Sequence, residues 1–244
     1  MKAIKILLAL FSVSVWGGLA YGQTGTIAGM VKFSGTLPTM EPYKVTYNTN
    51  VCGGDKSLDR LVVEPDSGVQ YAVVYIEGLK GKKENVPPSK YVVDQKDCEY
   101  APHVLIVEHG DKFTVANSDP LLHNVHGYFA ENHSTAFNIA EPVKGMKVVQ
   151  RVRKPGMYLL ECDVHPWMNC YVYVSDNGYA AVTDKSGNFT ISDVPPGKYK
   201  LVMWHEGWDT KLVSGKPEYS TPMEVTQEVT VEAGKSTTAD FTLK

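Results

Sequence analysis

A chain of 244 residues with 43% hydrophobic side chains is long enough for one large or two small cores and too apolar for disorder. Its net charge of −3, with no basic stripe and no acidic tail, provides no electrostatic footprint for nucleic acid.

The opening MKAIKILLALFSVSVWGGLAYGQT has Lys2 and Lys5, an apolar run over 6–15, and small residues before Gln23. It reads as a secretory signal peptide over 1–22, because the run is shorter than the ~20 residues a membrane span needs. No later segment is long and apolar enough to cross. The mature protein is therefore expected to be periplasmic or extracellular, where disulfides persist.

Beyond residue 22, short alternating or β-branched runs follow one another: GTIAGMVKF, YAVVYIEG, HVLIVEHGDKFTVAN, KVVQRV, GMYLLEC and CYVYVS. After the polar turn at Ser175, Asp176, Asn177 and Gly178 come GNFTISDV, GKYKLVMW, QEVTVEAG and TADFTLK, with turn residues at 185–188 and 195–198. Period-two spacing with Gly, Asn, Asp and Pro punctuation predicts an all-β fold. The turn predicts two sandwiches, over 23–175 and 176–244.

Residues 162–168, CDVHPWM, place Cys162, His165 and Met168 at intervals of three in a loop interrupted by Pro166. Buried Cys and Met are ordinary core fillers, so accident is one reading. The other is a site for a soft metal, since thiolate, imidazole and thioether are most of the donor set of an electron-transferring copper. His123, in NSDPLLHNVHG at the end of the run DKFTVAN, supplies the second imidazole.

At these residues the chain resembles the cupredoxin family, above all its amicyanin, pseudoazurin and plastocyanin branch. The matching positions are Gly110 and Asp111, Asn117, His123, Asn124 and Val125, then Cys162, His165 and Met168. The resemblance covers about 98–175 and implies a Greek-key sandwich holding one type 1 copper on His123, Cys162 and His165, with Met168 as a weak axial ligand. Residues 23–97 are then an N-terminal β extension of that module. From 178 onward the pattern DxxGxFxIxDVPPGxYxL, from Asp184 to Leu201, resembles transthyretin-like or carboxypeptidase-regulatory-like β-domains, placing such a domain at 176–244.

In the family it resembles, Asn124 ties the ligand loops together, and the edge of His165 is the exposed port. Leu121, Leu122, Pro166 and Trp167 would surround that edge as an apolar docking patch, although Trp167 could equally be core packing. His126 reads as a non-ligand on the following strand. His109, His133 and His205 read as surface or turn residues, and His103 as a residue that could lie near the metal.

Assigning Cys162 to copper leaves Cys52, Cys98 and Cys170. Export makes a Cys52 to Cys98 disulfide the expected pair, with Cys170 a buried, inert thiol. A rival arithmetic joins Cys98, His103, Cys162 and His165 in a Cys₂His₂ zinc site, leaving His123 and Met168 unexplained. The functional expectation is a non-enzymatic carrier of single electrons, exchanging with a c-type cytochrome or a periplasmic dehydrogenase. The alternative is a copper-containing envelope protein that binds a surface partner or glycan.

Overall fold

The computed structural model describes residues 23–39, 41–58, 60–81 and 91–244, so the expected signal peptide lies outside the described residues. The fold is all-β. In chain order the elements are β1 (Gly25–Phe33), the single-turn α1 (Thr49–Cys52), β2 (Val73–Glu77), β3 (Val92–Lys96), β4 (Glu99–Ala101), β5 (Val104–Glu108) and β6 (Lys112–Asn117). Then follow β7 (His123–Phe129), β8 (Ser134–Glu141), β9 (Lys147–Arg151), β10 (Gly156–Glu161) and β11 (Asn169–Ser175). The chain ends in β12 (Ala180–Val182), β13 (Asn188–Val194), β14 (Gly197–His205), β15 (Thr210–Val213), β16 (Lys216–Tyr219), β17 (Met223–Val231), β18 (Ser236–Thr238) and β19 (Phe241–Leu243). Among the described residues no helix is long and apolar enough to cross a membrane.

Strands β3 to β11 form one sandwich. Its sheets run β5-β11-β10-β7-β8 and β4-β3-β6-β9. Inward residues of both, among them Val93, Phe113, Val115, Val125, Leu160 and Val172, share one core. Alternation on β6, where Phe113 and Val115 point inward between the exposed Lys112 and half-buried Thr114, is what period-two sequence dictates.

The second sandwich pairs a sheet β12-β2-β14-β17 with a sheet in which β1 lies between β13 and β18 and also pairs with β19. This corrects the expected assignment of 23–97. β1 runs antiparallel to β13 and parallel to β18 and β19, and β2 runs antiparallel to β12 and β14. Both strands therefore belong to the sandwich of the C-terminal residues. Gly29 marks the crossing, because a Cβ there would meet the Ala239 carbonyl oxygen at 1.9 Å. The parts of the extension that do join the first sandwich are β3, with Tyr91 and Val93, and the segment that buries Val45, Cys52 and Leu58 in its core.

The sandwiches meet sheet against sheet. Val73, Val104, Tyr171, Tyr173 and Trp204 form a third buried cluster, with Tyr75 against Tyr173 at 4.7 Å and Tyr171 edge-on to Trp204 at 4.9 Å. β11 is consequently buried at every position, core on one face and neighbour on the other. Burial of each such large side chain contributes about 1.5–3 kcal/mol.

At the rim of this junction Arg60 donates to Glu206 at 2.8 Å and also bonds Asn169, while His103 pairs with the other Glu206 oxygen. Burial alone would raise the Glu206 pKa, but the Arg60 guanidinium and His103 outweigh it and hold the carboxylate below its ordinary range. His103 is thus committed to the junction.

Candidate metal centre

β6 ends at Asn117, whose side chain shapes the following loop. Its oxygen accepts the Asp119 N–H at 2.9 Å, and its amide donates to the carbonyls of Leu121 and Glu141 at 2.8 and 2.7 Å. This turn brings Asp119 beneath His123, the first residue of β7, with Oδ2 2.9 Å from Nε2. The same carboxylate accepts the backbone N–H groups of Asp97 and Cys98, each at 2.8 Å.

The second ligand loop connects β10 to β11. Cys162 N–H donates to the Met168 carbonyl at 3.2 Å, and Met168 N–H donates to the His165 carbonyl at 2.9 Å. These bonds and Pro166 fold seven residues into a closed turn that aims Cys162 and His165 to one point. Asn124 ties it to β7: its oxygen accepts the Asp163 N–H at 2.8 Å and lies 3.5 Å from Cys162 Sγ.

Three side chains converge. His123 Nδ1 and His165 Nδ1 are 3.0 Å apart, and Cys162 Sγ stands 3.9 and 3.7 Å from them. The two imidazoles are fully buried and the sulfur nearly so. Donors at these separations fit around a single ion with bonds of about 2.0–2.3 Å. The opposite ring nitrogens are already engaged, His123 Nε2 by Asp119 and His165 Nε2 by the Asn48 amide at 3.1 Å. The carboxylate behind His123 accepts its Nε2–H and leaves Nδ1 for the ion, while the Asn48 amide holds the ring of His165 from its far side. Met168 is buried in the same apolar cluster as Cys162.

Burial raises the Cys162 thiol pKa, against backbone hydrogen bonds from Asn124, His165 and Val164 that lower it. Metal binding must therefore expel a proton from this sulfur. Burial also lowers the His123 pKa, with the Asp119 hydrogen bond working the other way. Burial and then the His123 charge bring His165 from 6.5 to about 4.

A prediction follows for the metal-free protein. Between pH 4 and 6.5 the unfolded chain takes up a proton at residue 165 that the folded chain refuses, so this contribution to stability is complete above pH 6.5 and is lost as pH falls towards 4. The expected loss is on the order of 3 kcal/mol. Urea midpoints measured across that range check it, and His165→Gln should flatten the slope.

The structure overturns the expected exposed edge of His165. Residues 43–58 lie over it: the Tyr47 ring stacks on His165 at 5.8 Å, its hydroxyl donates to the Val164 carbonyl at 2.6 Å, and Asn48 occupies the Nε2 position. Trp167 is core packing, tilted against Tyr43 at 5.1 Å with its N–H donated to the Cys98 carbonyl at 3.0 Å. Leu122 remains half exposed.

Cys52 and Cys98 are joined in a disulfide. Its two sulfurs lie within 4.8 Å of a His165 nitrogen, and Cys98 Sγ lies equally near His123 and Asp119. That bond removes the Cys98 thiolate from the rival zinc arithmetic, and His103 is held elsewhere by Glu206. Cys170 is a free, fully buried thiol whose pKa burial raises well above its ordinary value. Sequence reasoning missed Asp119, Tyr47 and Asn48. The four-residue spacing from Asp119 to His123 was a usable signal, whereas nothing local marks Tyr47 and Asn48.

Comparison with known proteins divides the chain. Residues 165–244 match the carboxypeptidase regulatory-like domain family. The match begins inside the second ligand loop and holds the C-terminal strands of the second sandwich but neither β1 nor β2. No curated protein matches. Among solved structures, amicyanin from Paracoccus versutus is 17% identical, with 42% of this chain and 97% of that one covered and a TM-score of 0.32. A purple cupredoxin from Nitrosopumilus maritimus is 20% identical over 35% of this chain and 99% of that one, TM-score 0.29. A copper-containing nitrite reductase from Thermus scotoductus SA-01 is 19% identical over 41% of this chain, TM-score 0.31. The match spans only 25% of that reductase.

Proposed function

We propose that this chain is an exported, non-enzymatic copper protein that carries single electrons, its ion held by His123, Cys162 and His165 with Met168 as weak axial ligand. The observation carrying the proposal is the convergence of two Nδ1 atoms and one sulfur at 3.0, 3.7 and 3.9 Å in a buried pocket. Two imidazoles, a thiolate and a thioether suit copper in both its oxidation states, whereas structural zinc takes four strong N or S donors. Copper bound there supplies a one-electron couple. The chain's own part is to hold the donors rigid, through Asp119 on His123, Asn48 on His165 and Asn124 beside Cys162, and to exclude water.

The visible spectrum of the oxidised, copper-loaded protein tests the reading. An intense thiolate-to-copper band is expected; a colourless protein that prefers zinc would overturn it. Exchange partners of the expected class are a c-type cytochrome or a periplasmic dehydrogenase. The covered His165 edge favours the second reading, in which copper is stored or structural in an envelope protein that binds a partner or glycan. Stopped-flow mixing of the oxidised protein with a reduced cytochrome separates the two, since a store exchanges electrons slowly with every partner.

A further inference from the structure

We infer that electrons reach the metal centre through a stacked array of His126 and Tyr128 on β7 and His133 in the turn that follows, at an acidic patch that receives a basic, haem-bearing partner. The inference rests on the carrier reading above. With Tyr47 and Asn48 over His165, the metal-ligand imidazole that could have met a partner directly is closed.

A different path is open. His126 and Tyr128 stand two apart on β7, and the turn after that strand folds His133 back over them. The rings stack face to face: His126 on Tyr128 with centroids 4.1 Å apart and planes at 26°, Tyr128 on His133 at 4.1 Å and 16°. The outer imidazole is 59% exposed and the inner one 17%. The array therefore runs from solvent inward.

Its inner end meets the ligand loop. His126 Nδ1 lies 3.1 Å from both Asp163 oxygens, and Asp163 is bonded through the chain to Cys162. Asn124 adds a parallel link, donating to Asp163 at 2.7 Å while its oxygen lies 3.5 Å from Cys162 Sγ. From exposed His133 to the sulfur, each step is a ring contact, a hydrogen bond or a covalent bond. Thr135, 2.9 Å from His126 Nε2, and Glu161, 3.6 Å from His133 Nε2, hold the two imidazoles in place.

The surroundings select the partner. Glu131, Glu161 and Asp163 are each a third or more exposed, and Lys154 pairs with Glu131 at 2.6 Å. A cytochrome with lysines ringing its haem edge complements this rim, and such steering weakens with salt. The balance is simple: one electron leaves a ferrous haem, which becomes ferric, and the cupric centre becomes cuprous. No bond breaks and no proton is required.

The test uses a small basic c-type cytochrome. In the metal-free protein, NMR titration with it at low salt should shift amides of residues 126–134 and 161–163, and 0.5 M salt should abolish the shifts. In the copper-loaded protein, His133→Ala and Tyr128→Leu should each slow reduction by the ferrous cytochrome tenfold or more with the visible band unchanged, while Leu122→Glu leaves the rate alone. Shifts centred on Tyr47 and Leu122, or variant rates equal to wild type, would overturn the port. Absence of the band in wild type sinks the copper reading itself, a result distinct from either.

Discussion

Cys162→Ser is expected to abolish the thiolate-to-copper band completely while the β-sandwiches survive. The sulfur is the only anionic donor of the three that converge, and a neutral hydroxyl neither gives the charge transfer nor holds Cu(I), so copper affinity should fall by orders of magnitude. The fold should bear the change, because Cys162 sits at one end of a large core in which Phe113, Val125, Leu160 and Val172 pack without the ion. The new hydroxyl also has a ready acceptor in Asn124 Oδ1, 3.5 Å from the present sulfur, so no buried donor is stranded. Circular dichroism of the variant and of metal-free wild type should coincide. If metal-free wild type is unfolded, the ion is a structural element and the carrier reading loses its physical basis.

The contrast between what the chain announces and what it conceals follows from range. Cys162, His165 and Met168 fall within seven residues, and His123 lies where a strand pattern ends, so local order exposes the donors. The all-β class is equally local, since alternation such as that of β6 records one buried face. Pairing is different. GTIAGMVKF reads as a strand with an apolar face, but nothing in those nine residues says that its neighbours are β13, β18 and β19, about 155 residues or more away. Chain adjacency therefore assigned it to the wrong sandwich. β11 shows the reverse effect: the run CYVYVS is apolar at adjacent positions because a second sandwich covers its outer face. The cover over His165 was illegible for a further reason. Tyr47 and Asn48 lie outside regular strands, and only the folded chain, in which the Cys52–Cys98 disulfide ties their segment down, brings them to the ligand loop.

That disulfide gives the second large prediction. Replacing Cys52 and Cys98 together by serine should destabilise the protein by about 4 kcal/mol, the chain-entropy value for a closed loop with a sequence separation of 46. The local consequence is more specific than the loss of stability. The bond anchors 43–58 to the turn between β3 and β4, and Asp119 joins that same turn to His123 by accepting the Asp97 and Cys98 N–H groups. Release of the anchor leaves Tyr47 and Asn48 held over His165 by ring contacts, by the burial of Val45 and Leu58, and by single hydrogen bonds worth about 1 kcal/mol each. Water should then reach the Nε2 edge. A hydrophilic chelator should strip copper from the double variant at least tenfold faster than from wild type, with the visible band changed little because His123, Cys162 and His165 remain. Wild type reduced by a small dithiol in the metal-free state, freed of the dithiol and then loaded with copper, should reproduce the effect, and reoxidation of the disulfide before loading should reverse it. Equal stripping rates in all forms would mean that the 43–58 segment stays closed through its own packing of Tyr43 and Tyr47 on Trp167, and that the disulfide stabilises the fold without guarding the metal.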